Sequence, residues 1–267
     1  MKEIVVGQSD VGLVRKKNQD AFGLFSECGL YIIADGMGGR PAGEVASQMT
    51  VELVHEFFSD IKKNHPEQWA NQDSASRQHL IRDAILFANK KVFDLSESNP
   101  AYHGMGTTVV VLTSILDNTR LPTGHNVVGP FAARVGLGYA GDSRAYRHRG
   151  GKLEQLTQDH SVVNEYIKLG ILTPEGARNH SLKHVLSRGV GVGDTVLPDT
   201  LDVSVEAGDL FLLCTDGLSN MLDHQEINAI LNQTKNISDT AVALIKGAKE
   251  KVGRDNITVV LVSYING

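Results

Sequence analysis

Three aspartates stand at the ends of short apolar runs, each beside a residue that lets the chain turn. Asp35 follows Leu30-Tyr-Ile-Ile-Ala34 and precedes Gly36, and Asp216 follows Leu210-Phe-Leu-Leu-Cys-Thr215 and precedes Gly217. Asp255 lies in Gly253-Arg-Asp-Asn-Ile-Thr-Val-Val260. The first two close strand-like runs and the third opens one. If these ends converge, the carboxylates form an oxygen cage, and like charges so placed raise one another's pKa unless a cation neutralises them. Asp142, in Tyr139-Ala-Gly-Asp-Ser-Arg-Ala-Tyr146, lies between two further runs, and Asp20 opens another. Aspartates with no interleaved Cys/His set suit hard cations, Mg²⁺ or Mn²⁺ rather than Zn²⁺. Two such ions about 3.5–4 Å apart can share a water, lower its pKa and aim it at phosphorus. Gly36 adds an unobstructed carbonyl, and Arg15 offers a planar donor fork suited to a phosphoryl group. Taken singly, an Asp-Gly pair is ordinarily a turn and an arginine ordinarily a solvated charge. Their recurrence at strand boundaries is what points to a site.

The elements that must carry these residues are legible from pattern. Strand-like runs fall near residues 3–9, 20–25, 29–34, 107–116, 131–140, 144–148, 199–205, 210–215 and 257–264. Helical stripes run through Val45, Met49, Leu53 and Phe57, through Leu80, Ala84, Ala88 and Val92, and through Ala241, Leu244, Ile245, Ala248 and Val252. Ser238 or Asp239 is expected to cap the last helix at its start and Gly253 at its end. Asp223 with Glu226 reads as a capping box. Strands and helices come in blocks rather than in regular alternation, which excludes a doubly wound parallel sheet and predicts an α+β layered arrangement of largely antiparallel sheets. Residues 1–267 read as a single domain, because the linker-like pieces 62–73 and 117–130 are too short to separate two. The irregular stretch 159–198, with helical pieces at 162–169 and 174–180, reads as a flap beside the site.

Composition narrows the function classes. A net charge of −5 without a basic tract gives no reason to expect nucleic acid or an anionic membrane as partner. No apolar run approaches the roughly 20 residues of a membrane helix, and Met1-Lys-Glu-Ile-Val-Val6 lacks a signal-peptide core. Cys28 and Cys214 are read as free buried thiols, which fits the cytoplasm. His180 and His184 have helical zinc spacing but no following Glu, Gly189-Val-Gly-Val-Gly193 lacks the context of a dinucleotide loop, and Trp69 reads as a packing residue.

Taken in order, Ser9-Asp-Val-Gly-Leu-Val-Arg15, Asn18-Gln-Asp20, Ala34-Asp-Gly-Met-Gly-Gly39, Gly43-Glu-Val-Ala-Ser47, Gly104-Met-Gly-Thr-Thr108, Gly141-Asp-Ser-Arg144, Leu213-Cys-Thr-Asp-Gly-Leu218 and Gly253-Arg-Asp-Asn-Ile-Thr-Val259 resemble the bacterial type 2C metal-dependent serine/threonine protein phosphatases. The resemblance spans almost the whole chain. It implies a four-layer αββα sandwich, two antiparallel sheets between helix pairs, with a binuclear Mn²⁺ or Mg²⁺ centre at one end. It implies that Asp35 bridges the two ions, that the Gly36 carbonyl serves the second, and that Asp216 and Asp255 complete the shell of the first. Asp20 would hold metal-bound water, and Asp142 with Asp216 would serve a weaker third ion. Arg15 would bind the substrate phosphate, Asn256 would hydrogen-bond behind the ligands, and Thr107-Thr108 would pack behind the site. The implied reaction is in-line attack of the bridging water on phosphoserine or phosphothreonine, in proteins phosphorylated by a cognate Ser/Thr kinase, by a monomer. Two positions depart from the family. Met37 stands where some members carry a proposed proton-donating histidine, so a metal-bound water near Asp142 is expected to supply that proton. Arg40 stands where many bacterial relatives have histidine and is expected to steer phosphorylated substrates. The rival readings are a catalytically weak phosphoprotein-binding module of the same fold, and a different metal-dependent phosphoesterase acting on nucleotides or nucleic acid, the latter disfavoured by the acidic net charge.

Overall fold

Side chains on a strand alternate between faces, and here both faces are covered, so the central strands read as continuous apolar runs. In the computed structural model, which describes residues 1–37, 42–70, 73–114, 133–178, 180–234 and 236–266, the chain runs β1 (Lys2–Asp10), β2 (Asp20–Phe25), β3 (Leu30–Asp35), α1 (Gly43–Asn64), α2 (Pro66–Ala70) and α3 (Ser74–Ser98). It continues through β4 (Val109–Thr113), β5 (Ala133–Ala140), β6 (Arg144–Arg149), β7 (Lys152–Gln155), α4 (Val162–Lys168) and α5 (Pro174–Arg178). The remainder is β8 (Asp199–Val205), β9 (Leu210–Cys214), α6 (Asp216–Ser219), α7 (His224–Gln233), α8 (Ile237–Glu250) and β10 (Ile257–Ile265). One sheet has the order β1-β10-β9-β6-β7 and the other β2-β3-β4-β5-β8, with every neighbouring pair antiparallel.

Three apolar clusters separate four layers. Leu30, Ile32 and Ala34 of β3 face α1 and α3, while Tyr31 and Ile33 of the same strand face the second sheet. Val260, Val262 and Tyr264 of β10 meet them between the sheets, and Val259 and Leu261 face α7 and α8. The fold is therefore the α+β, two-sheet sandwich expected from the sequence.

Several local expectations are corrected. In α1 the fully buried face is Ala46, Thr50, Val51, Val54 and Phe58, and the stripe Val45, Met49, Leu53 and Phe57 is only partly buried beside it. The cap of α8 is Asn236, because its carboxamide oxygen accepts from the N–H groups of both Ser238 and Asp239. Its other end is a Schellman turn placed one residue differently from expectation. Val252 N–H donates to Lys249 O and Gly253 N–H to Ala248 O; Gly253 takes a positive φ of 51° as a glycine should, and the half-exposed Val252 before it takes one of 123°. β7 was not expected at all. The capping box of Asp223 and Glu226 is present, and Trp69 packs edge-on to Phe58. Cys28 and Cys214 are free and buried. No helix among the described residues is long and apolar enough to cross a membrane.

Candidate metal centre

Antiparallel pairing brings five chain segments to one end of the sandwich. Asp20, the first residue of β2, pairs with Asp35, the last of β3, and Asp10 at the end of β1 pairs with Ile257 at the start of β10. β9 ends at Cys214, opposite Val259 and Arg144. The turn 141–143 carries the chain from β5 in one sheet to β6 in the other at the same end. Asp35 thus closes its strand as expected. Asp216 and Asp255 do not lie on strands: Asp216 opens α6, and Asp255 sits two residues before β10.

All five aspartates are partly open to solvent, and Asp35, Asp142, Asp216 and Asp255 line one cleft of about 2040 Å³. Burial, followed by the charges of Asp20, Asp216, Asp142 and Asp255, holds the Asp35 carboxyl well above the usual carboxylate range. Burial pushes Asp20 up to about 7, reinforced by Asp216 and Asp255 and opposed by hydrogen bonds from Thr258 and Thr215. Asp142 is pushed up to about 8 by burial, then by Asp216 and Asp159. Asp216 is raised by burial and by Asp255, and moderated by a hydrogen bond with Asp35 and by the proximity of His184 and Arg15. The shifts of Asp20, Asp35, Asp142 and Asp216, with Asp255 acting on three of them, put the five carboxylates within electrostatic reach of one another. Such a cluster is the donor set of a hard cation.

Asp20 gives the sharpest test of fit. Its Oδ2 accepts from Thr215 Oγ1 at 2.9 Å and Thr258 Oγ1 at 2.7 Å. Its Oδ1 is buried and has no partner among protein atoms. A buried carboxylate oxygen left so is costly unless water or an ion fills its lone pairs. The residues therefore fit the implied cations. Among the described residues, Glu27, Cys28 and His55 also bring ligand atoms within 4.8 Å of one another. Its atoms already have protein partners: Ser59 Oγ lies 3.0 Å from His55 Nε2 and 4.0 Å from Cys28 Sγ, and His55 Nε2 lies 3.4 Å from Glu27 Oε1.

The surrounding chain is held by backbone bonds. Thr108 accepts from Asp35 N–H through Oγ1 at 3.0 Å and donates its own N–H to Asp35 O at 2.9 Å. Gly36 N–H donates to Gln19 O at 3.0 Å, and a Cβ at position 36 would come 2.3 Å from the carbonyl oxygen of Gly43, so only glycine fits. Arg15 donates to Asp255 Oδ2 at 2.8 Å, with its side chain 40% exposed to the cleft. Asn256 fastens the loop between β1 and β2. It donates to Val11 O at 3.0 Å and Lys17 O at 2.9 Å, and accepts from Gln19 N–H at 2.8 Å. Asn256→Ala leaves three backbone groups of that loop without their part-buried side-chain partner, so the thermal midpoint should fall by the equivalent of about 2–4 kcal/mol. Manganese affinity, read by calorimetry, should weaken about 10- to 100-fold, because the loop carries Arg15 and leads into Asp20.

Arg40 and the connection 117–130 lie outside the described residues. Thr107 and Thr108 are buried behind Asp35, as expected. Sequence reading missed the hydroxyls of Thr215 and Thr258 as partners of Asp20, although both lie inside segments singled out for their aspartates. It also set aside His184, which lines the cleft and acts electrostatically on Asp216. The segment 159–198 contains α4 and α5, and its residues Lys183, Arg188 and Leu197 line the same cleft.

Comparisons with known proteins agree with this geometry. Residues 14–250 match the family described as Protein phosphatase 2C. The chain is 36% identical over 261 residues to the protein phosphatase PhpP of Streptococcus pneumoniae, covering 96% of this chain and 95% of that one. A solved serine/threonine phosphatase of S. agalactiae superposes with a TM-score of 0.81 at 34% identity, covering 99% of this chain and all of the other. The catalytic domain of the serine/threonine protein phosphatase PstP in complex with two manganese ions superposes at 0.77 and 30% identity, with 99% of each chain covered.

Proposed function

Because this chain belongs to the protein phosphatase 2C family and is a serine/threonine protein phosphatase, we propose that it removes phosphate from phosphoserine and phosphothreonine by a two-cation mechanism and so opposes a Ser/Thr protein kinase. The observation that carries the cation requirement is the group of five aspartates at one sheet end with Asp20 Oδ1 buried and unpartnered. A similar phosphatase in complex with two manganese ions supports the same reading.

Asp35, the Gly36 carbonyl, Asp216 and Asp255 would hold two Mn²⁺ or Mg²⁺ ions, Asp20 would orient water around them, and Asp142 with Asp216 would take a third. When bound, these ions supply Lewis acidity and a water of lowered pKa. The protein's own part is to hold and orient. Asp35 is placed at the centre by its pairing with Asp20 and by Thr108 behind it. Arg15 stands at the mouth with its guanidinium on Asp255, where an incoming phosphoryl group can share the donor fork. The open cleft admits a chain segment rather than only a small ester. The chain is read as one catalytic domain, a monomer working in the cytoplasm, in keeping with two free buried thiols.

Arg15→Ala should lower kcat/KM for a phosphothreonine peptide about 100-fold, mostly through KM, and Arg15→Lys should recover only part of it. The reading as a whole is tested by assaying an aryl phosphate, a phosphothreonine peptide and a nucleotide with Mn²⁺ and with chelator. Manganese-dependent turnover of the first two is expected. Preference for the nucleotide, or turnover indifferent to chelation, overturns it.

A further inference from the structure

The segment between β7 and β8 is tied to the centre through one buried imidazole. His160 is fully buried, and its main-chain and ring groups are all engaged. Its N–H donates to Gly141 O at 2.9 Å, and Gly141 N–H returns a bond to Nδ1 at 3.2 Å. Nδ1 is therefore an acceptor, and the neutral ring carries its proton on Nε2, facing Asp199 Oδ2 at 3.2 Å. Burial lowers the imidazole pKa, in keeping with a neutral ring. Arg188 donates to the other oxygen of Asp199 at 2.9 Å and to Leu197 O at 3.2 Å. With Nε2 protonated, the 3.3 Å approach of Arg188 to it sets two donors side by side, and Asp199 accepts from both. Ser187 N–H donates to His160 O at 2.9 Å, and Tyr139 stacks on the ring at 4.9 Å.

The far side of Gly141 is equally constrained. Its φ is +120°, and a Cβ there would sit 2.6 Å from the side chain of Thr108. That threonine accepts from Asp35 N–H and shares a 2.7 Å bond with Ser143 Oγ. The turn carrying Asp142 is thus gripped from one side by the residue behind Asp35 and from the other by His160. His160 in turn holds Ser187 directly and Arg188 through Asp199.

We propose that His160 is a positioning residue that, with Asp199 and Arg188, latches the 185–197 segment to the Gly141–Asp142 turn, so that seating of the segment and placement of the Asp142 carboxylate occur together. The substrate-facing wall formed by Arg188 and Leu197 and the acidic centre then respond as one unit. This inference rests on the reading of the cleft as the phosphatase centre only in its kinetic part.

Contiguity alone does not establish coupling, so the test must measure it. Asparagine at 160 can keep the acceptor that faces Gly141, and glutamine can keep the donor that faces Asp199. In metal-free protein, His160→Asn, His160→Gln and Asp199→Asn should each speed amide exchange about tenfold at both Gly141–Arg144 and Val185–Gly189. Unchanged protection of β9 and β10 would show each variant folded. Acceleration confined to the end whose bond was removed overturns the latch. In manganese-loaded enzyme, Asp199→Asn should lower kcat about tenfold, whereas adding it to Asp142→Asn should change kcat less than twofold. Multiplicative losses in the double variant also overturn it. A chain inactive toward phosphopeptides would refute the phosphatase reading, and the exchange result would still decide the latch.

Discussion

Asp35→Asn should abolish nearly all manganese-dependent turnover, by about 10³-fold or more, while making the metal-free protein more stable. The two effects have one cause. Asp35 lies where burial and four neighbouring carboxylates all disfavour its charge, so the amide relieves repulsion that only a cation otherwise relieves. The substitution keeps volume and shape, and the backbone bonds to Thr108 do not involve the side chain. Lost activity would therefore not reflect lost fold. Steady-state kinetics and thermal midpoints, each with manganese and with chelator, read both effects. Retained activity would show that Asp35 is not the shared ligand, and a lower midpoint in chelator would show that the cluster is not under repulsion.

The metal-free protein should lose stability as pH rises from about 6.5 to about 9. Asp20 titrates at about 7 and Asp142 at about 8 in the folded chain, against 3.8 when unfolded. Between those values the folded state binds more protons than the unfolded state, so their stabilising contribution is complete below about pH 4 and lost as pH passes through the folded values. Each proton so held contributes a slope of about 1.4 kcal/mol per pH unit. Asp10 and Glu44, held low by Lys249 and Lys17, are ionised in both states across this window and add no slope. His160, lowered by burial, acts in the opposite sense below about 6.5, which sets the lower limit of the range. Manganese should flatten or reverse the trend, because the ion takes the place of the protons. Urea midpoints at pH 6.5 and 8.5, with and without manganese, measure it. A metal-free midpoint that rises over this range contradicts the proximity of the five carboxylates.

What the chain discloses without coordinates depends on how local the determinant is. Asp35, Asp142 and Asp216 stand out because the residues themselves mark where apolar runs stop, at Asp-Gly or Gly-Asp. The two-sided burial of β3 and β10 is legible for the same reason. β7 was not legible, since only Leu153 of its four residues is buried and it exists by pairing with β6 across Gly150 and Gly151. The support of Asp20 by Thr215 and Thr258 depends on the register of β9 with β10, which no single segment encodes. Val252 takes a positive φ of 123° beside Gly253 at 51°, in a turn that Leu13 N–H anchors by donating to Gly253 O at 2.8 Å, a contact 240 residues away in the chain. The role of His160 was invisible for the same reason, being made of contacts with β5, β8 and the segment around Ser187.

Crystals grown with Mn²⁺ and measured at the manganese absorption edge address the central claim most directly. Two anomalous peaks about 3.5–4 Å apart should flank the Asp35 carboxylate, with Asp216 and Asp255 on one of them. No peak within bonding distance of Asp35, or manganese bound only beside Glu27, Cys28 and His55, would contradict the assignment of the aspartate cluster as the catalytic metal centre.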